Sequence, residues 1–161
     1  MQDTRFDLRP ATPDDLDDVF DLFAEIQAIH ATAEPEFFRQ PEKDDLFRAF
    51  FGRNFEDPDH RLVLACVDGT PVGYVQFMMG TQPKDVFRSE GRLAYINQLV
   101  VTERYRRTGC ATLLIAHVRQ EAEQQSIPLL GIDFWSFNGA ARACFERNGF
   151  KVNQEIMWRR I

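Results

Sequence analysis

The sequence lacks the features of a membrane or exported protein. No apolar run approaches the length that spans a bilayer, and the first residues carry neither the basic nor the apolar region of a secretion signal. Basic residues are not in excess, since the formal net charge is −6, and this disfavours nucleic-acid binding, which needs a basic surface against phosphates. We therefore expect a cytoplasmic protein with no membrane and no nucleic-acid partner.

Metal-ligand spacings and the common nucleotide-binding motifs are also missing. The cysteines Cys66, Cys110 and Cys144 are widely spaced in apolar contexts, which predicts buried reduced thiols and no metal site. Neither G-x-G-x-x-G nor G-x-x-x-x-G-K-[ST] occurs, and this counts against dinucleotide and nucleoside-triphosphate binding. The chain has 161 residues, of which 44% are hydrophobic and 15 are Phe. This composition predicts a single domain, residues 1–161, with a substantial core.

Apolar periodicity and turn residues predict a mixed order of strands and helices. Strands are predicted at residues 5–9, 61–67, 71–79, 92–101, 129–135 and 155–160, with a polar loop at 80–91, and helices after Thr12 and at 44–55, 110–124 and 138–148. Asp68-Gly69 is a strong two-residue hairpin signal, so the first strands should pair antiparallel, whereas the later strand–helix–strand segment should be a crossover. This order predicts an α/β (mixed α+β) fold with helices on both faces of one mixed sheet.

A basic turn follows the apolar strand at 92–101 and precedes a helix. The turn contains Arg106, Arg107 and Gly109, and the helix begins at Cys110-Ala111. A helix N-terminus offers unpaired N–H groups to an anion, glycine permits close approach, and arginine adds charge-assisted donors. The segment therefore predicts a phosphate site, and the alternative is a basic turn in which the glycine serves only the backbone geometry.

Two segments resemble the GNAT superfamily of N-acetyltransferases. Arg106-x-x-Gly109-x-Ala111 after a strand is similar to that family's cofactor signature. Residues 138–150 resemble its second motif, with an Asn, an Ala three residues on, an aromatic–Glu pair and a final Gly-Phe. The two motifs together are far more specific than either alone. The resemblance implies a GNAT-like fold with a central mixed sheet of about six to seven strands.

The resemblance also implies acetyl-CoA, or coenzyme A, as the cofactor. The backbone of Leu99, Val100 and Val101 should then hydrogen-bond pantetheine, and the backbone of Arg106, Arg107, Thr108, Gly109, Cys110 and Ala111 should hold the pyrophosphate. Asn138 should reach the cofactor, although capping of the following helix is a sufficient structural reason for it. Phe145 stands where many relatives carry a Tyr that protonates the departing sulfur, so the resemblance implies a slower step here.

Relatives often place a basic carboxylate on the strand before the turn, and this sequence has Asn97 and Gln98 there. The predicted catalytic residues are therefore His30 and Asp133 as bases, with the N–H of Leu99 or of its neighbour Val100 stabilising the oxyanion. Glu34 and Glu36, in the loop between the first two helices, are further candidates for the base, and solvated loop acids are the favoured interpretation of both.

The implied acceptor is a primary amine of a small molecule or a peptide. The residues predicted to contact it are Glu34, Phe37, Phe38, Tyr95, Asn97 and Trp135, and core packing is the alternative for each aromatic. Many relatives pair, so the resemblance allows a homodimer, but nothing in the sequence specifies an interface.

Three functions remain open from the sequence. The first is an acetyl-CoA-dependent N-acetyltransferase that works by direct attack in a ternary complex. The second is a non-catalytic acyl-CoA-binding or sensor module on the same fold, because Asn97, Gln98 and Phe145 cannot move protons. The third is a nucleotide-binding α/β protein.

Overall fold

The computed structural model describes residues 4–161. Among these residues, no helix is both long and apolar enough to cross a membrane. The strands are β1 (Asp7–Pro10), β2 (His60–Val67), β3 (Thr70–Gln82), β4 (Gly91–Val101) and β5 (Leu130–Ile132), and the helices are α1 (Leu16–Ala33), α2 (Asp45–Glu56), α3 (Cys110–Gln124) and α4 (Gly139–Arg147).

The five strands form one mixed sheet in the order β1-β2-β3-β4-β5. The first four are antiparallel neighbours, and β2 joins β3 through Asp68 and Gly69, whose φ angles of 49° and 80° are those of a tight hairpin turn. β5 pairs parallel with β4, because the chain crosses over through α3 between them. The predicted fold class, a mixed sheet with a crossover, is confirmed.

Two hydrophobic cores lie on opposite faces of the sheet. The core under α1 and α2 contains Val19, Leu22, Phe47 and Phe51 with the strand residues Leu62, Leu64, Tyr74 and Val100. The core under α3 contains Leu114, Ile115 and Val118 with the strand residues Val63, Val75, Phe77 and Ile96. Alternate residues of β2 and β3 therefore supply opposite cores, as strand geometry requires.

A bulge interrupts β4 close to its middle. Gln76 of β3 pairs with Gln98, but the next residue, Phe77, pairs with Ile96, so Asn97 is the extra residue. Because a bulge re-aims side chains, Asn97 and Gln98 both turn toward α1 and α2, where Gln98 accepts a hydrogen bond of 2.6 Å from Tyr74.

The sheet differs from the prediction at its end. Six to seven strands were expected, but the described residues form five, and residues 151–161 form no strand and are exposed throughout. The predicted strand at 155–160 is therefore wrong: its residues have the composition of a strand, but no neighbouring strand pairs with them. The strand predicted at 129–135 is shorter in the structure, since only Leu130–Ile132 pairs with a neighbour. β3 is longer than predicted and continues to Gln82, into the loop predicted at 80–91.

Candidate functional site

A slot opens between β4 and β5. Their pairing ends at Ile96 and Ile132, whereas β4 continues to Val101. From Asn97 onward, β4 therefore has a described sheet neighbour only on its β3 side, and its other edge offers backbone N–H and C=O groups. An extended polar chain with amide groups can pair with such an edge.

The turn at the end of this slot leads into α3. Arg107 and Gly109 adopt left-handed φ angles of 65° and 94°, a region that glycine occupies at little cost and arginine does not. Among the hydrogen bonds of residues 4–161, none uses the N–H groups from Arg107 to Gly109, and the N–H of Leu113 makes the first bond of the helix, to the Gly109 carbonyl. The turn and the helix start therefore present consecutive free N–H groups.

α3 differs from two other helices at its start. The N-terminal N–H groups of α2 and α4 are capped by Asp44, which accepts from Phe47, and by Asn138, which accepts from Ala141. Gly109 has no side chain and caps nothing, so the positive end of α3 is open to an anion. These features fit the pyrophosphate of coenzyme A.

Glu25 of α1 holds this turn in place. Its carboxylate accepts hydrogen bonds from the Thr102 hydroxyl at 2.7 Å, the Glu103 N–H at 2.8 Å and the Arg106 guanidinium at 2.6 Å. Arg106 also donates to the Val101 carbonyl at 3.1 Å. In this structure, the Arg106 side chain therefore binds Glu25 and the strand end, while the backbone of the turn is left for a ligand.

Cys110 contributes its backbone to this site rather than its thiol. A helix N-terminus ordinarily favours the thiolate. Here, burial raises the pKa of Cys110 to about 11, so the thiol stays neutral at physiological pH. Cys66 is buried as predicted, whereas Cys144 is half-buried, and none of the three forms a disulfide with a described residue.

The sequence matches the acetyltransferase (GNAT) family over residues 23–150. The chain belongs to the GNAT acetyltransferase family. The match includes both segments that resembled the family in the sequence and the slot between β4 and β5. Among curated proteins, none matches the sequence.

Solved structures share the GNAT fold with this chain along nearly its whole length. A mutant of the BH1408 protein from Bacillus halodurans superposes with a TM-score of 0.89 at 18% identity, covering 96% of this chain and 99% of that one. Aminoglycoside 6'-N-acetyltransferase AAC(6')-IG from Acinetobacter haemolyticus gives 0.74 at 15% identity, covering 96% and 97%. AAC(6')-Iy, solved with a bisubstrate analogue of coenzyme A and acetylneamine, gives 0.71 at 16% identity, covering 98% of each chain.

Four of the residues predicted to contact the acceptor lie together in this GNAT chain. The Trp135 ring centroid lies 5.5 Å from that of Phe37 and 4.6 Å from that of Phe38. Glu34 ends α1 beside them, and its carbonyl accepts from both phenylalanine N–H groups. Trp158 of the C-terminal segment covers Phe37 at 5.7 Å. The cluster is thus an aromatic surface at the C-terminal end of α1.

The two predicted bases lie in different surroundings. His30 stacks on Phe38 at 4.9 Å and meets the edge of Phe137 at 5.5 Å, and burial lowers its pKa, so the ring is neutral at neutral pH. Asp133 is exposed just after β5. Burial, and then the negative charge of Asp133, raises the pKa of Tyr95 to about 12, which keeps that phenol protonated.

Phe145 lies in the core at the side of the slot. It is 7% exposed and packs against Phe134 and Phe150, with centroid distances of 5.9 and 6.0 Å. Leu99 and Val101 pack against the same core. A hydrocarbon ring here completes the wall of the slot but supplies no proton.

Asn97 lies apart from the aromatic cluster in a cavity of about 310 Å³ between α2 and the sheet. The other residues that line this cavity are Phe50, Arg53, His60, Gln76 and Met78. The sequence predicted a substrate contact for Asn97 alone. The others were missed because they meet only through the pairing of β2, β3 and β4 and the position of α2 over that sheet, which short-range patterns do not report.

Proposed function

We propose that this chain is an acetyl-CoA-dependent N-acetyltransferase, which transfers the acetyl group to a primary amine of a small molecule or peptide. The amine attacks the thioester directly while both substrates are bound. The observation that carries this proposal is the unpaired edge of β4, which leads to the uncapped N-terminus of α3. Membership in an acetyltransferase family agrees with it.

The cofactor contacts follow the slot. The backbone of Leu99, Val100 and Val101 pairs with the pantetheine amides, and within the turn at residues 106–111 the N–H groups from Arg107 onward bind the pyrophosphate, since the Arg106 N–H donates to the Glu103 carbonyl at 3.2 Å. The Arg107 guanidinium adds charge, since it makes no ion pair with a described carboxylate. Asn138 keeps its amide N–H₂ for the cofactor while its oxygen caps α4. Phe145 is in van der Waals contact with the acyl end.

The chemistry needs a neutral amine and a stabilised oxyanion. A lysine-like amine, with a pKa near 10.4, is about 4 kcal/mol from neutral at pH 7.4. His30 and Asp133 are the bases that the sequence predicts, and the N–H of Leu99 is the oxyanion donor. A departing thiol with a pKa near 8.5 is only about 2 kcal/mol from thiolate at pH 7, so turnover without a dedicated acid is slower but feasible.

One observation favours a non-catalytic acyl-CoA sensor as the second candidate. Gln98 is held by the hydroxyl of Tyr74, and Asn97 is an amide, so neither can act as a base. A sensor would bind the cofactor tightly and release no thiol in response to an acceptor.

Release of free coenzyme A from acetyl-CoA tests the proposal. Polyamines, amino acids, aminoglycosides and peptide N-termini are offered in turn as acceptors, and cofactor binding is measured separately by calorimetry. We expect binding together with release that depends on one acceptor class. Binding without acceptor-dependent release would establish the sensor, and protection of the fold by ATP or NAD but not by coenzyme A would establish a nucleotide-binding protein.

We further propose that residues 1–161 act as one domain and that two copies pair. The C-terminal segment exposes Ile156, Met157 and Trp158 at 70%, 94% and 74%, and such a contiguous apolar surface is typical of a protein–protein contact. A cytoplasmic location, expected from the composition, stays a prediction.

A further inference from the structure

The cavity between α2 and the sheet combines polar, cationic and apolar groups. Its polar lining comes from the imidazole of His60, the amides of Gln76 and Asn97, and the guanidinium of Arg53, while Phe50 and Met78 supply the apolar wall. A volume of about 310 Å³ is at the lower end of the range for small-molecule sites. Asn97 lies just before the β4 segment proposed to bind pantetheine, which places the cavity beside the acyl end of the slot.

Gln76 places a buried hydrogen-bond acceptor in the wall of this cavity. The residue is 2% exposed, and its Oε1 atom has no hydrogen-bond partner among residues 4–161. A buried acceptor without a donor costs about 1–3 kcal/mol. An N–H group of a bound amine would satisfy that oxygen.

His60 is oriented as a proton acceptor. Its Nδ1 lies 3.0 Å from a carboxylate oxygen of Asp57, so a hydrogen bond to Asp57 places the proton on Nδ1 and the lone pair on Nε2. Asp57 itself accepts from the Asp59 N–H at 2.9 Å, and this bond lowers the pKa of Asp57 and keeps it charged. The arrangement is that of a histidine fixed in one tautomer by a carboxylate.

We propose that this cavity is the acceptor site, that its ligand is a small amine carrying a carboxylate, and that His60, in place of the His30 or Asp133 predicted from the sequence, takes the proton of that amine. The proposal rests on the proposed acetyltransferase function. In it, Arg53 binds the carboxylate, and Gln76 and Asn97 hold the amine next to the thioester.

The charge of the cavity lining indicates which class of ligand it binds. Arg53 is the one permanent cation of the lining, no carboxylate of residues 4–161 pairs with it, and no acidic residue lines the cavity. A guanidinium pairs well with a carboxylate. A polycation such as an aminoglycoside would meet like charge here, so amino acids and the termini of short peptides are the expected class.

The proton and bond changes balance without a further reactant. The ammonium group gives one proton to Nε2 of His60, and the neutral nitrogen then forms a bond to the thioester carbon. The C–S bond breaks, and the departing sulfur takes a second proton from the attacking nitrogen. The products are the amide and free coenzyme A, and His60 returns its proton to solvent.

Three charged residues lie near His60. Asp57 faces Nδ1 from the end of α2, Arg53 faces the cavity from the last turn of the same helix, and Arg61 donates to the His60 carbonyl at 3.4 Å. Of these groups, Asp57 is the one that fixes the tautomer in which Nε2 can accept a proton.

Replacing each of the three histidines by Gln tests the proton acceptor. We expect His60→Gln to lower kcat by about 10²–10⁴-fold, with the KM for acetyl-CoA unchanged. His117→Gln is the matched control, since His117 lies on the α3 face and packs on Phe77. Full activity in His60→Gln, or a loss of kcat of this size in His30→Gln instead, would overturn the assignment.

The carboxylate is tested with paired acceptors, an amino acid and its primary amide. We expect Arg53→Gln to raise the KM for the amino acid at least tenfold and to leave the KM for the amide unchanged. Equal KM values for both acceptors in the parent protein would refute the ligand class. Should a variant fail to fold, carbethoxylation of His60 in the parent protein provides a second readout, because the amino acid should slow it and an aminoglycoside should not.

The experiments distinguish a wrong acceptor site from a wrong function. If the parent protein acetylates an acceptor and both variants behave like it, the cavity assignment is wrong and the acetyltransferase stands. If the parent protein binds coenzyme A and acetylates nothing in the panel, the acetyltransferase fails, and the assignment of the acceptor site fails with it.

Discussion

Glu25 connects α1 to the turn that follows β4. Replacing it with Gln removes the charge that holds Arg106 and weakens three hydrogen bonds at once. We expect Glu25→Gln to raise the Kd for coenzyme A about tenfold, because a less ordered turn must be fixed on binding. Titration calorimetry measures the effect, with the melting temperature as a check on folding.

Asp21 gives a matched control for this change. It lies one turn earlier on α1 and is exposed. Asp21→Asn removes the same charge without touching the turn, so its affinity for coenzyme A should equal that of the parent protein. Equal affinities for the Glu25 and Asp21 variants would show that the contact does not prepare the site.

His30 should make stability depend on pH. Its pKa in the folded chain lies below the ordinary value of 6.5, so the unfolded chain binds more protons once the pH falls below about 6.5. The free energy of unfolding should therefore fall with pH through this window, and the loss should stop below the folded pKa. His30→Phe keeps the ring and should show a smaller decline in urea titrations between pH 7.5 and 5. An unchanged decline would contradict the burial of His30.

Residue types and spacing predicted part of the candidate site. Asn138 stands where a helix cap was expected, and the structure has that cap. Gly109 was expected to permit close approach or to serve the turn geometry, and its φ is left-handed. Glu25 and His60 were not predicted. An acid on a long helix resembles a solvated residue, although Glu25 follows the buried Leu22 by three residues and so lies on the same side of α1. The role proposed for His60 depends on the residues of the neighbouring strands that line the cavity with it, and the local sequence does not show these neighbours.

At the scale of elements, α4 offers a test of two roles for Asn138. Asn138→Ala removes the cap and should lower the free energy of unfolding by about 1 kcal/mol. Asn138→Ser keeps a capping oxygen but loses the amide N–H₂, so it should keep stability and raise the KM for acetyl-CoA several-fold. If the Ser variant has the parent KM, Asn138 is a cap only.

The elements that local patterns predicted well are those that end in turn or cap residues. β2 and β3 meet at Asp68-Gly69, and α3 begins at the Cys110 that the motif indicated. The strand predicted at 155–160 failed because strand composition does not say whether a partner is available. The bulge at Asn97 was not foreseen either, since it exists only in the register between β3 and β4.

At the scale of the whole molecule, the exposed C-terminal segment predicts self-association. Met157 is 94% exposed, and Met157→Lys should shift a dimer toward monomer in size-exclusion chromatography with light scattering. Val86→Lys is the control, because Val86 is 89% exposed in the loop between β3 and β4. A parent protein that is monomeric at high concentration would refute the pairing of two copies.

The central claim is that the turn at residues 106–111 holds the pyrophosphate of coenzyme A, and Gly109 tests it most directly. Its φ of 94° strains any other residue, and a Cβ there meets open space, so Gly109→Ala and Gly109→Glu share a backbone cost of about 1 kcal/mol or more. Only the Glu variant adds bulk and negative charge where the phosphates would lie. Titration calorimetry should find coenzyme A bound by the parent protein, more weakly by Gly109→Ala, and not by Gly109→Glu. Parent-like affinity in a folded Gly109→Glu protein would contradict the account.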